Sequence, residues 1–192
     1  MNLSALGPTD ALLVVDVQND FCPGGALPVA EGDRVVPVLN RWIEAARAGG
    51  AAVVASRDWH PPGHASFRER GGPWPAHCVQ GTDGAAFHPG LRLPADARVV
   101  SKGTDLERDE YSAFAGAGLA DFLRERGVRR LWVGGLAEDV CVRATVLDGL
   151  KAGFEVRLIA DATRPVNARP DDGSRAVREM REAGCGVEEG TP

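Results

Sequence analysis

The sequence predicts an α/β fold: a doubly wound, mostly parallel six-stranded sheet with helices on both faces. Three observations predict it. Strand-like runs such as Ala11–Val17 are apolar and β-branched almost without a break, as strands covered on both faces require. Runs with helical spacing alternate with them along the chain. The 192 residues show no repeat and no linker, so residues 1–192 are read as a single domain, long enough to bury about 70% of its unfolded surface.

Taken in order, Ala11–Val17 is the first strand and carries one acid, Asp16, toward its carboxyl end. Open α/β sheets bind ligands in the crevice beyond those ends. After a turn-rich loop over 18–30, residues 33–48 have helical spacing in Val35, Val36, Leu39, Trp42, Ile43 and Ala46, and Gly49-Gly50 ends the helix. Ala51–Ser56 is the second strand. The stretch from Pro61 to Gly90, dense in proline and glycine, predicts a long structured loop. Val99–Ser101 is a short third strand that delivers Lys102, and 119–126 is a helix stopped by Gly127. Arg130–Val133 reads as a buried strand broken by Gly134 and Gly135, and Asp139 opens a helical pattern through Val142, Thr145, Val146, Leu147 and Leu150. A strand over 154–160 ends at Asp161, an amphipathic helix over 170–183 turns Ala176, Val177 and Met180 inward, and Val187 starts a weak last strand.

Composition excludes several classes. With 22 Lys and Arg against 27 Asp and Glu, and the basic residues scattered, there is no electrostatic footprint for nucleic acid. No apolar run is long enough to cross a membrane. The four cysteines, Cys22, Cys78, Cys141 and Cys185, form no C-x-x-C pair, and the N-terminus does not resemble a signal peptide. Reduced thiols in a cytoplasmic protein are expected. Self-association is left open.

Three strands each deliver one reactive group at the same edge: Asp16, Lys102 and Cys141. Cys141 falls in the first turn of its predicted helix, where free N–H groups and the helix dipole would lower a thiol's pKa; the plainer reading is a small buried hydrophobe. A carboxylate that takes the thiol proton, steadied by a cation, is a workable alternative to a Cys-His pair. Backbone N–H groups at Ala137 and Cys141 are the natural donors to an oxyanion. Alternation along Asp58-Trp59-His60 puts the acid and the histidine on one side, and His77 can close the set. Two imidazoles and a carboxylate would suit a divalent ion such as zinc, iron or manganese; an Asp to His hydrogen bond within a turn is the alternative.

Across essentially its whole length the chain resembles the nicotinamidases of the isochorismatase-like cysteine hydrolase superfamily. The blocks V-V-D-V-Q-N-D-F, D-W-H-P-P-G-H-x-S-F, W-P-A-H-C-V-Q-G-T, S-K-G-T, Y-S-A-F and G-L-A-E-D-V-C-V-R-A-T occur in order, and together they are far more specific than any one alone. The resemblance implies an amide hydrolase that deamidates nicotinamide to nicotinate and ammonia as a step of NAD salvage, with pyrazinamide as a further substrate. It implies Asp16, Lys102 and Cys141 as catalytic triad, and Asp58, His60 and His77 as ligands of one divalent ion, zinc foremost. It further implies that Phe21 and Trp74 sandwich the pyridine ring with Tyr111 nearby, and that the Leu136–Ala137 peptide is cis. His64 is expected in the surroundings of the metal. Glu138 stands where many relatives carry threonine.

Overall fold

The computed structural model describes residues 6–115, 118–190 and 192. Six strands form one sheet: β1 (Asp10–Val15), β2 (Ala52–Asp58), β3 (Arg98–Lys102), β4 (Arg130–Leu136), β5 (Glu155–Arg164) and β6 (Gly186–Glu188). Their order is β3-β2-β1-β4-β5-β6, and every pairing is parallel. Helices α1 (Val35–Gly49), α2 (Leu119–Glu125), α3 (Arg143–Lys151) and α4 (Asp172–Glu182) complete the doubly wound plan.

The strand order decides which face each connection covers. The chain moves one way from β1 to β3 and the other way from β4 to β6, so right-handed crossovers must change faces between them. Accordingly α1 and the long 59–97 connection pack on one face, where Leu39, Trp42, Ile43, Cys78 and Ala85 are buried. Helices α2, α3 and α4 cover the other through Leu119, Leu123, Val146, Ala176 and Met180. Trp42 of α1 meets Trp132 of β4 with ring centroids 5.0 Å apart. The reversal between β1 and β4 opens a crevice at their carboxyl ends.

Strand β4 differs from the sequence expectation. It runs through both glycines to Leu136, because β1 continues to offer a ladder alongside, pairing Val14 with Gly134 and Val15 with Gly135. On the other side the register shifts after Val133, and β5 continues past Asp161 to Arg164. Gly135 has φ +129, and a Cβ there would fall 2.6 Å from the Val15 backbone nitrogen. Neither backbone can yield without opening the central pair. Gly135→Ala is therefore expected to lower stability by about 3 kcal/mol or more. An unchanged denaturant midpoint would contradict this close packing.

Candidate active site

Asp16 follows β1, Lys102 ends β3, and Cys141 follows β4, so three remote stretches arrive at one edge of the sheet. The structure brings their side chains together. Lys102 Nζ lies 2.8 Å from Asp16 Oδ2 and 3.4 Å from Cys141 Sγ. Asp16 has φ +49, a left-handed conformation uncommon for a residue other than glycine. Its Oδ1 accepts from the Ser56 hydroxyl at 2.7 Å, Oδ2 lies beside the ammonium, and the carboxylate, the Asp58 carboxylate and Cys141 Sγ each offer an atom within 4.8 Å of the others. All three side chains are buried.

Burial sets their protonation. It pushes the Asp16 carboxyl above the ordinary carboxylate range, and the nearby Asp58 charge adds to it; Lys102 opposes the shift without cancelling it. Burial alone would depress Lys102, but Asp16 and Asp58 outweigh it and hold the amine charged. The Cys141 thiol corrects an expectation. A helix N-terminus was expected to lower its pKa; burial, aided by the two carboxylates, instead raises it well above the ordinary value despite Lys102. The sulfur rests as a thiol and needs a base.

The turn holding Cys141 also differs from an ordinary helix start. Residues Glu138–Val142 form a π turn ahead of α3. The Ala137 carbonyl accepts from the N–H of Val140 at 3.1 Å and of Val142 at 3.0 Å, passing over that of Cys141. The Leu136–Ala137 peptide is cis. Ala137 and Cys141 both line a narrow cavity.

Beside the thiol, Asp58, His60 and His77 turn one ligand atom each toward a common point, all within 4.8 Å of one another. His60 Nδ1 faces the Gly103 carbonyl at 3.0 Å and His77 Nδ1 faces that of Pro75 at 2.8 Å. A carbonyl only accepts, so each Nδ1 carries the proton and each Nε2 presents a lone pair. These lone pairs lie 3.6 and 3.7 Å from Asp58 Oδ2. Three acceptors facing one another repel unless a cation lies between them. Two donors each about 2.1 Å from one ion sit within about 4.2 Å of each other, as each histidine nitrogen does with Asp58 Oδ2. The donor set therefore fits a divalent metal ion. Asp58 Oδ1 is also paired with Lys102 Nζ. Burial would raise the Asp58 carboxyl, but the Lys102 ammonium beside it holds it well below the ordinary range. His64 has Nδ1 on the Ser66 hydroxyl and Nε2 on the Arg108 carbonyl, leaving neither nitrogen free, and its ring packs on His60 at 4.2 Å.

Phe21, Trp74 and Tyr111 line the cavity, joined by Leu27, Val140 and Val166, which the sequence reading did not single out. Trp74 Nε1 donates to the Tyr111 hydroxyl at 3.2 Å. Burial and Asp109 push Tyr111 up to about 12, so it stays a neutral phenol. Gln18 was also missed. Its amide brackets the Asp58 backbone, donating to the carbonyl at 2.8 Å and accepting from the N–H at 2.8 Å. Asp139 accepts from the N–H groups of Val166 and Asn167, both at 2.8 Å, and so ties the cavity wall to the π turn. No local pattern in the sequence marks either Gln18 or Asp139 for these contacts.

Glu138 lies on the outer side of that turn, its carboxyl near Gly173 and Pro165. Burial and Asp139 raise its pKa from 4.5 to about 7, against the opposing charge of Arg164. An acid whose folded pKa is raised is harder to ionise in the native state, so its contribution to stability falls as pH rises from 4.5 through 7. Glu138→Gln is therefore expected to be more stable than wild type at pH 8, with the advantage shrinking toward pH 5. Urea midpoints at the two pH values measure it, and an equal difference at both would refute it.

Among the described residues no helix is long and apolar enough to cross a membrane. A family model described as the Isochorismatase domain matches residues 10–189. The chain is 46% identical over 199 aligned residues to a nicotinamidase of Escherichia coli K12, with 93% of each chain covered. A pyrazinamidase of Pyrococcus horikoshii in complex with zinc superimposes with a TM-score of 0.91 at 51% identity, covering 95% of this chain and 100% of the other. PnC1 from L. infantum in complex with nicotinate gives 0.87 at 38% identity, covering 96% and 95%.

Proposed function

The chain belongs to the isochorismatase family, and on that premise we propose that it is a metal-dependent cysteine amidohydrolase that converts nicotinamide to nicotinate and ammonia. The nicotinate so released is returned to NAD by salvage. The observation that carries the reading is the position of Lys102, whose ammonium touches Asp16, Cys141 and Asp58 at once. One buried cation thus joins a nucleophile, its base and a metal-ligand set. Asp58, His60 and His77 would hold the ion, which we take to be zinc, with iron or manganese as alternatives. When bound, it supplies a Lewis-acidic anchor that orients a pyridine ring nitrogen.

The residues act in sequence. Phe21 and Trp74 hold the ring by stacking, with Tyr111 at the cavity wall. Asp16 accepts the Cys141 proton as sulfur adds to the carboxamide carbon. The N–H groups of Ala137 and Cys141 receive the developing oxyanion. Asp16 returns the proton to the leaving nitrogen, and ammonia departs as the C–N bond breaks. Its raised pKa suits an acid that must give the proton back. Water then cleaves the thioester, releasing the carboxylate and restoring the thiol. Lys102 remains protonated throughout and steadies Asp16.

An ammonia-release assay on an amide panel tests this. Nicotinamide and pyrazinamide are expected to turn over, and benzamide, which lacks the ring nitrogen, at least about 100-fold less well in kcat/KM. A preference for aliphatic amides or carbamoyl compounds would replace the substrate assignment while leaving the chemistry.

A further inference from the structure

We propose that Glu110 is a positioning residue that aims His60 and Lys102 through the turn joining β3 to the loop after it; this rests on the reading that Asp58, His60 and His77 bind a divalent ion. Gly103, directly after Lys102, has φ +61, and a Cβ there would fall on the His60 ring, so glycine alone permits the contact. Its carbonyl accepts from His60 Nδ1 at 3.0 Å. Its N–H donates to Glu110 Oε2 at 3.0 Å. The Lys102 carbonyl on the same peptide accepts from the N–H of Trp59, also at 3.0 Å. That peptide is therefore pinned at both ends, by the strand bearing Asp58 on one side and by a carboxylate on the other.

The Glu110 side chain is 14% exposed, with Arg108 Nε 4.0 Å from its other oxygen. The same segment supports the neighbouring histidine, since the Arg108 carbonyl takes His64 Nε2 and the Leu106 carbonyl takes the Ala65 N–H at 2.9 Å. Release of Gly103 would swing the carbonyl that fixes the His60 ring and the backbone that carries the Lys102 amine. Groups that orient a ligating histidine tune metal affinity by about 10- to 100-fold.

Two substitutions separate the hydrogen bond from the charge. Glu110→Gln keeps an acceptor at the same reach without the charge; Glu110→Asp keeps the charge but is one methylene too short. Zinc affinity is read by competition with a chromophoric chelator, and ligand geometry by the visible spectrum of the cobalt-loaded protein. Glu110→Gln is expected to bind zinc within about 3-fold of wild type, and Glu110→Asp about 10-fold or more weakly with altered cobalt bands. The proposal is overturned if Glu110→Asp matches wild type, or if Glu110→Gln is as weak as Glu110→Asp. Wild type that takes up no ion overturns the metal reading itself, whatever the variants do, so the two failures are told apart.

Discussion

Cys141→Ala is expected to lose more than a thousand-fold in nicotinamide turnover while keeping its fold and its bound ion. The loss follows from chemistry: removing the sulfur removes the covalent route, and what survives is the modest acceleration from binding and oxyanion contacts. Retention of the ion follows from the proposed ligand set, because Asp58, His60 and His77 could hold it without the thiol. Retention of fold follows from size, since the change empties one small site at 5% exposure. Initial rates, metal content and a thermal melt check all three. A variant keeping more than about a thousandth of the wild-type rate would rule out sulfur as nucleophile.

Asp58→Asn should fail differently. The carboxylate has two jobs, Oδ1 against Lys102 and Oδ2 against the two histidines. Asparagine preserves the volume and removes the charge from both. Metal affinity is expected to fall by about 100-fold or more, since loss of a group that merely orients a ligand already costs about 10- to 100-fold. Lys102, with 0% exposure, is left with Asp16 as its remaining counter-charge, so stability should also drop by about 3 kcal/mol. His77→Ala serves as contrast, because it removes a ligand without touching Lys102. Equal destabilisation by the two substitutions would show that the Lys102 pair contributes nothing distinctive.

Much of this architecture is legible in the residues. Near-continuous apolar runs mark strands covered on two faces, and the same runs show that Asp16 and Lys102 leave at the carboxyl edge. The placement of Cys141 shortly beyond the Gly134-Gly135 pair is equally visible. What could not be read depends on contacts between distant segments or on the balance of opposing charges. That Asp58 pairs with Lys102 across 44 residues follows from the pairing of β2 with β3, which no local pattern announces. The direction of the Asp16 and Cys141 shifts depends on how completely both are buried. The extension of β5 past Asp161 arises from register, a property of the assembled sheet. Gln18 resembles an ordinary loop residue until the backbone of Asp58 is folded against it.

The position of β1 between β2 and β4 has a consequence for biogenesis. Asp10 pairs with Arg130 across 120 residues, and such long-range closure slows folding. During synthesis, a growing polypeptide shorter than about the end of β4 leaves Leu12, Val14 and their neighbours with one flank bare. Until the ribosome has extruded that later strand, the nascent chain presents an unpaired apolar edge of the kind that holdase chaperones cover.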